Sequence, residues 1–386
     1  MIASRAVGSS SVLISRFFYS VSWFNISPAL IPLEQEFHLT LGEVGIALTM
    51  FLVGAGIFQV PAGILATRIG AKRTALLGLY MMALFAILSG VSANFSEVIA
   101  SRFMTGVGAA LYFSTAIVLL REIYPERVHT LIGYYNASYN LGASAGIIIM
   151  TPVVALFGWR FDFILTGVLT AAAAIFMQAV IRHRVKYGTI SIAKIRSRVT
   201  DRRVWIIALG VLGVWSMNYT LPEYFKSFGA YVGLPSFTSG VLGGLIPLAG
   251  VVGGILASIF VRLRPIRILT MIGILLGILV SSIAISPTVL YWPILSVTGL
   301  FATVAISLEY SVIANYESEP EYIAVSIGLI NSIQIGLGSL VPLIFGYLTH
   351  YGFSYAWFFL GIFCIATLIF FIPFRTLKIG SDQNPA

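Results

Sequence analysis

The chain alternates long apolar runs with short polar breaks. Runs of about 20 residues, the length a helix needs to cross a hydrocarbon core, fall near 11–33, 42–66, 72–92, 97–120, 130–157 and 161–181. They resume near 204–228, 237–261, 268–286, 290–314, 323–348 and 354–374. The pattern predicts an all-α membrane protein with twelve transmembrane helices in two six-helix bundles, residues 1–181 and 204–386, joined by a polar linker at 182–203. The first run follows Arg5 and at its start resembles a secretory leader. It continues past Pro28 to Leu33 without a small-residue cleavage site, so it is read as a retained first span.

Composition narrows the class. Of 386 residues, 58% are hydrophobic and 10% charged, against roughly 45–50% and about 25% in a typical soluble domain. Lipid, not water, accommodates such a surface. The net charge of +9 would suit a nucleic-acid partner, but the placement of the charges argues against one. Of the 23 Lys and Arg, Arg160 and Lys226 fall in the outer segments and Arg16 and Arg102 within spans; the rest lie on the side of the termini. By the positive-inside rule both termini are cytoplasmic, in a multi-pass protein of the cell membrane. The linker, rich in Arg and Lys from Arg182 to Arg203, would lie against anionic lipid. Cys364 stands alone, and His38, His129, His183 and His350 are scattered. No metal or cofactor is expected, and no GxSxG elbow or P-loop points to an enzyme.

The two halves echo each other. Gly63-Ile-Leu-Ala-Thr67 recurs as Gly254-Ile-Leu-Ala-Ser258, Trp23 has a counterpart in Trp215, and Phe157-Gly158 has one in Tyr351-Gly352. Three echoes in step indicate two parallel six-helix repeats facing each other across a pathway.

The loop after span 2 reads Gly63-Ile-Leu-Ala-Thr-Arg-Ile-Gly-Ala-Lys-Arg73. With Gly63, Arg68, Gly70, Lys72 and Arg73 it resembles the signature GxxxD(R/K)xG(R/K)(R/K) of the major facilitator superfamily of secondary transporters. Gly63 would permit close helix contact, Gly70 a sharp turn, and the basic residues would hold the loop at the headgroups. The family's acid, which helps latch the cytoplasmic side, is Thr67 here. The latch is then absent or carried elsewhere, with Glu126 the candidate. Arg102-Phe-Met-Thr-Gly106-Val-Gly108 resembles the family's RxxxGxG element, whose arginine is linked to proton coupling or gating; snorkelling to the outer headgroups is the alternative. Gly142-Ala-Ser-Ala-Gly146 lacks the proline of the antiporter signature GxxxGP, and tight helix packing explains it. Phe157-Gly-Trp-Arg160-Phe resembles the family's turn between spans 5 and 6.

A polar face is costly against lipid and should turn inward. On span 1, Arg16, Tyr19, Ser20, Trp23 and Ser27 share one helical face. Trp215, Asn218, Tyr219 and Pro222 do so on span 7, Asn136, Tyr139 and Asn140 on span 5, and Asn331 and Gln334 on span 11. These are the candidate substrate-binding surface, with interhelix hydrogen bonding as the alternative for any one of them. Arg16 is the natural anion partner, though its place near the inner end also suits snorkelling. Glu309 is read as the one carboxylate well inside a span. It would carry a coupled proton, pair with a basic inner-loop residue as a gate, or reach the interface. Glu223, three residues from Lys226, is read as half of a surface ion pair. Coupling and gating are thus assigned to Arg102, Glu309 and the loop residues Gly63, Thr67, Arg68, Gly70, Lys72 and Arg73.

The resulting expectation is a monomeric secondary transporter moving a small solute by alternating access, with a proton as candidate coupling ion. Arg121-Glu-Ile-Tyr-Pro-Glu-Arg127 and Gly158-Trp-Arg160 look most like permeases of small anions such as nitrate or cyanate, or of organic anions. A drug or metabolite exporter and a receptor-like relative that does not transport remain open.

Overall fold

The computed structural model describes residues 2–181, 192–260, 265–316 and 320–372. In lipid every backbone N–H and C=O must be satisfied within the segment, which selects helices. Among the described residues nine helices are long and apolar enough to cross a membrane. The remaining expected segments are also helical. Span 1 is Ile2–Phe24 and Ile26–Phe37, span 5 contains Val128–Ile148, and span 9 is Pro265–Ser282. The helices fall on all twelve expected segments.

The helix of span 1, from Ile2, begins well before the expected start near residue 11. Ser9, Ser10 and Ser11 interrupt the apolar run but not the helix; Ser11 Oγ donates to the Gly8 carbonyl at 2.7 Å and Ser15 Oγ to Ser11 at 2.9 Å. The span bends at Asn25, three residues before Pro28, which lacks an N–H for the preceding turn.

Local chemistry fixes the other ends. Thr40 and Glu43 form a reciprocal capping box at the start of span 2, and Asn94 Oδ1 accepts from the Glu97 N–H at the start of span 4. Gly70 turns the chain between spans 2 and 3 at φ +89°, as expected. Gly158 (φ +83°) and Gly352 (φ +127°), an echoed pair, make the turns into spans 6 and 12.

Helix pairing repeats across the halves. Span 4 packs on spans 2 and 3, and span 6 on spans 1 and 3; correspondingly span 10 packs on 8 and 9, and span 12 on 7 and 9. Glycines permit the closest approaches: a Cβ on Gly108 would sit 2.6 Å from the Gly78 carbonyl, and one on Gly146 2.9 Å from that of Val21. Gly142 and Gly146 therefore serve the close packing of span 5 on span 1.

The halves meet through span 2 with span 11, span 5 with span 8, and span 1 with span 7. These contacts lie on the face opposite the termini and reach inward to mid-span. There Gly42 packs on Tyr347, Gly240 on Thr151, and Ser332 Oγ donates to the Gly56 carbonyl at 2.6 Å. Toward the terminal face, Gly63, Gly133 and Gly328 have open space where a Cβ would stand. The molecule is closed on one face and parted on the other.

Candidate functional site

The polar stripes converge in mid-protein as two linked clusters. The first surrounds Arg16. Its guanidinium carbon lies 4.3 Å from the ring centre of Tyr135, 4.4 Å from Tyr19, 4.5 Å from Tyr139 and 4.9 Å from Phe113. Arg16 is only 3% exposed, so it does not snorkel. Its Nε and Nη1 donate to nothing, and it has no ion pair among the described residues. Trp23 extends this aromatic wall, with ring centres 6.1 Å from Tyr19 and 5.8 Å from Tyr139.

The second cluster belongs to the other half. Glu309 is fully buried; its Oε2 accepts from Trp215 Nε1 at 2.8 Å and its Oε1 from Gln334 Nε2 at 2.5 Å. In this conformation it pairs with no basic residue among those described, and its full burial keeps it from the interface. Gln334 also donates to the Ala208 carbonyl, and the Tyr310 hydroxyl donates to Asn331 Oδ1 at 3.3 Å. Tyr310 lies within electrostatic reach of Arg16, Tyr135 and Tyr139, so the clusters face each other. Tyr219 turns its hydroxyl to Ser216 (3.3 Å) and against Gly338. Asn140 packs by Gly250, and Asn136 and Asn218 are half-buried.

Several expectations need correction. Glu223 is not in a surface ion pair: it is 1% exposed, accepts from Trp23 Nε1 at 3.2 Å, and makes no ion pair with Lys226. Glu309 is not the sole carboxylate inside a span, since Asp162 of span 6 and Glu223 of span 7 are buried too. Arg102 does not snorkel. It donates to the carbonyls of Ser22 (2.9 Å) and Trp23 (3.1 Å), satisfying polar groups beside the bend of span 1.

The loop after span 2 also differs in detail. Gly63 makes no close helix contact in this conformation. Thr67 Oγ1 donates to its own helix at Ile64, 2.7 Å away, and Glu126 pairs with Arg5 at 3.4 Å, so among the described residues neither forms a latch across the halves. Lys72 donates to the carbonyls of Gln178 and Ile181, capping the end of span 6 where a cation is favoured. Arg68 and Arg73 are exposed. Of the basic residues assigned to the terminal face, Arg182, Arg184, Lys186, Arg262, Arg264, Arg375 and Lys378 lie outside the described residues. In the linker, Ile192–Val199 is helical, and Asp201 caps span 7 by accepting from the Arg203 N–H.

At the closed face a polar staple ties the first half together. Arg160 donates to both oxygens of Glu36 (2.5 and 2.7 Å) and to the Ser92 carbonyl, and Trp159 Nε1 donates to Glu36 Oε2 at 2.7 Å. Partial burial pushes the Glu36 carboxyl toward a higher pKa. The Arg160 and Trp159 hydrogen bonds outweigh this and hold it below the usual carboxylate range.

Two repeated helical halves, with buried charges where they meet, define a helical membrane transporter architecture. The chain belongs to the Major Facilitator Superfamily, whose family model matches residues 12–341. It is 27% identical to a probable L-galactonate transporter of Escherichia coli K12 over 54% of this chain and 50% of that protein. Against the 4-hydroxybenzoate transporter PcaK of Pseudomonas aeruginosa it is 30% identical over 39% and 33%. It is 23% identical to a nitrite extrusion protein of Bacillus subtilis over 82% and 80%. The chain thus spans half or less of the first two relatives. In fold it resembles a bacterial homologue of the human lysosomal transporter Spinster in an inward-facing, occupied conformation, with a TM-score of 0.79 and 14% identity, covering 99% of both chains. The inward-facing, unoccupied form gives 0.74 at 15% identity, covering 96% and 95%.

Proposed function

We propose that this protein is a secondary transporter of small anions, with organic carboxylates the favoured class, that works by alternating access and couples to a proton at Glu309. The observation carrying the anion reading is Arg16. A buried charge without a counter-charge costs several kcal/mol, which ring faces offset in part. Its Nε–H and Nη1–H groups, which have no protein acceptor among the described residues, are donors left for an anion. Tyrosine rings around it suit an organic anion that presents carbon as well as charge. Two of the relatives above are named for organic acids and one for nitrite, which accords with this class.

Glu309 bonds only neutral donors, so a proton is the group that would cancel its buried charge. The basic terminal face is the cytoplasmic one in the cell membrane, so the described conformation is inward-facing. Residues 1–181 and 204–386 are the two moving bundles and 182–203 their linker, in a monomeric unit. Purified protein in proteoliposomes, preloaded with candidate aromatic and sugar carboxylates, nitrite, neutral sugars or cationic amphiphiles, tests the reading by counterflow. Exchange with an anion is expected. Exchange with cationic amphiphiles alone would identify an exporter of another class, and binding without exchange a receptor-like protein.

A further inference from the structure

Arg160 and Lys226 are the basic residues of the segments at the closed face, and they differ in their surroundings. Arg160 is neutralised by Glu36. Lys226 of span 7 is only 8% exposed and has no hydrogen-bond or ion-pair partner among the described residues. A buried cation without a counter-charge is costly, and the positive-inside rule depletes cations on this side. The counter-charge is therefore sought outside the described chain.

Lys226 lines a groove of about 370 Å³ at the seam of the two halves. Span 1 contributes Ile31, span 5 Val154 and Ala155, and the second half Leu234 and Ser236. The walls are mostly apolar. None of the acids of this face, Glu34, Glu36, Glu43 or Glu97, is among the lining residues. Leu156, Phe157 and Phe237 adjoin the groove in sequence and are exposed, as side chains facing lipid are. Lys226 lies five residues before Tyr231, the last of its helix, or about 7 Å along the axis. It stands just inside the end of the span, where headgroups give way to acyl chains.

A second feature also favours an anion. Ser236 opens the helix of span 8, and the Ser239 N–H bonds back to the Pro235 carbonyl at 2.9 Å. The N–H groups of the turn before it have no helical acceptor, which places partial positive charge at the same groove. Cation, helix N-terminus and apolar walls together match a molecule with an anionic head and a hydrocarbon tail.

We propose that this groove binds an anionic phospholipid from the leaflet at the closed face, with its phosphate at Lys226 and Ser236 and an acyl chain along Ile31, Val154 and Leu234. Because both halves build the groove, a lipid seated there bridges them and stabilises the closure. Opening this face would part spans 1 and 5 from spans 7 and 8 and dismantle the site, so bound lipid biases the equilibrium between conformations.

Thermal stabilisation of purified full-length protein in detergent, titrated with phosphatidylglycerol or with zwitterionic phosphatidylcholine of the same chains, tests the proposal. No transported anion is present, so the result is independent of the anion-transport reading. Phosphatidylglycerol is expected to act at a concentration at least roughly fivefold lower. Lys226→Gln should abolish that preference and Lys226→Arg should keep it. Ala155→Trp, which fills the groove from an exposed position and leaves the charge in place, should also remove it, and decides if Lys226→Gln does not fold. A preference that survives Lys226→Gln would overturn the proposal, since the basic terminal face would then account for it. So would the absence of any preference in the native protein. Equal stabilisation by glycerol phosphate, lost in Lys226→Gln, would overturn the lipid assignment in favour of a soluble anion.

Discussion

Trp23 of the first half donates its indole N–H to Glu223 of the second at 3.2 Å, a buried bond that crosses between the two repeats. Its repeat counterpart, Trp215, donates to Glu309 at 2.8 Å, within the second half. The two tryptophans thus each hold a carboxyl group, one across the interface and one inside a bundle. Only the first bond must break when the closed face opens. Ser27 supports it by donating to the carbonyls of Pro222 (3.2 Å) and Glu223 (2.7 Å).

Trp23→Phe should therefore favour the conformation open on the far face. The phenyl ring keeps most of the packing and removes the N–H. A hydrogen bond to a carboxyl group contributes about 1.5–3 kcal/mol, so a shift of roughly tenfold or more in the equilibrium is expected. Cysteine labelling of each vestibule reads it. Unchanged labelling on both faces would mean that Ser27 and the contact of span 2 with span 11 suffice to hold the closure.

Arg16→Lys should weaken anion binding by at least about tenfold while preserving the charge. A lysine ammonium cannot present the planar fork or lie flat among Tyr19, Phe113, Tyr135 and Tyr139. Thermal stabilisation by the transported anion measures this. Full affinity in the lysine variant would leave only a point-charge role for Arg16.

Apolar run length placed the spans, because the bilayer sets that length whatever the sequence. One-face periodicity likewise found Arg16 with Tyr19 and Trp23, and Trp215 on span 7. It missed Glu223 because a carboxylate three residues before Lys226 looks like an exposed pair. Yet the step from Trp215 to Tyr219, taken once more, lands on Glu223, so the stripe itself contained the signal. Tyr135 likewise lies one helical step before Tyr139 of the span 5 stripe, whereas Asp162 beside the Gly158 turn and Phe113 within an apolar run had no such signal. Which rings close on Arg16 depends on how spans 1, 4 and 5 rotate against each other, and helical period within one segment does not carry that.

Orientation is tested by reporters. One fused after Ala386, or inserted near residue 190, should be cytoplasmic, and one near Ser236 external. Termini on opposite faces would require an odd number of crossings and overturn the twelve-span count.

The Glu36 staple predicts a pH effect on stability. Because its carboxyl sits below the usual range, the stabilisation is present above the ordinary carboxylate pKa and is lost as pH falls through the lowered value. Glu36→Gln should lower thermal stability at neutral pH by a modest amount, of order 1 kcal/mol or less since the pair is partly exposed. The difference from the native protein should vanish in acid. A gap that persisted at low pH would mean the variant acts through packing, not through the charge.

Glu309 carries the sharpest mechanistic prediction. Its two hydrogen-bond donors, Trp215 and Gln334, are both neutral. Glu309→Gln keeps shape and can still accept a hydrogen bond, while removing the titratable group. If Glu309 carries the coupled proton, uphill uptake driven by a pH gradient should fail. Substrate binding and downhill counterflow should persist, because exchange needs no net proton movement. If Glu309 instead closes a gate by pairing with a basic residue in the other conformation, counterflow itself should change, since one arm of the equilibrium loses a contact. A variant that still concentrates substrate with unaltered pH dependence would remove Glu309 from coupling. Arg102 would then be left as the remaining buried candidate for coupling among the residues assigned to it.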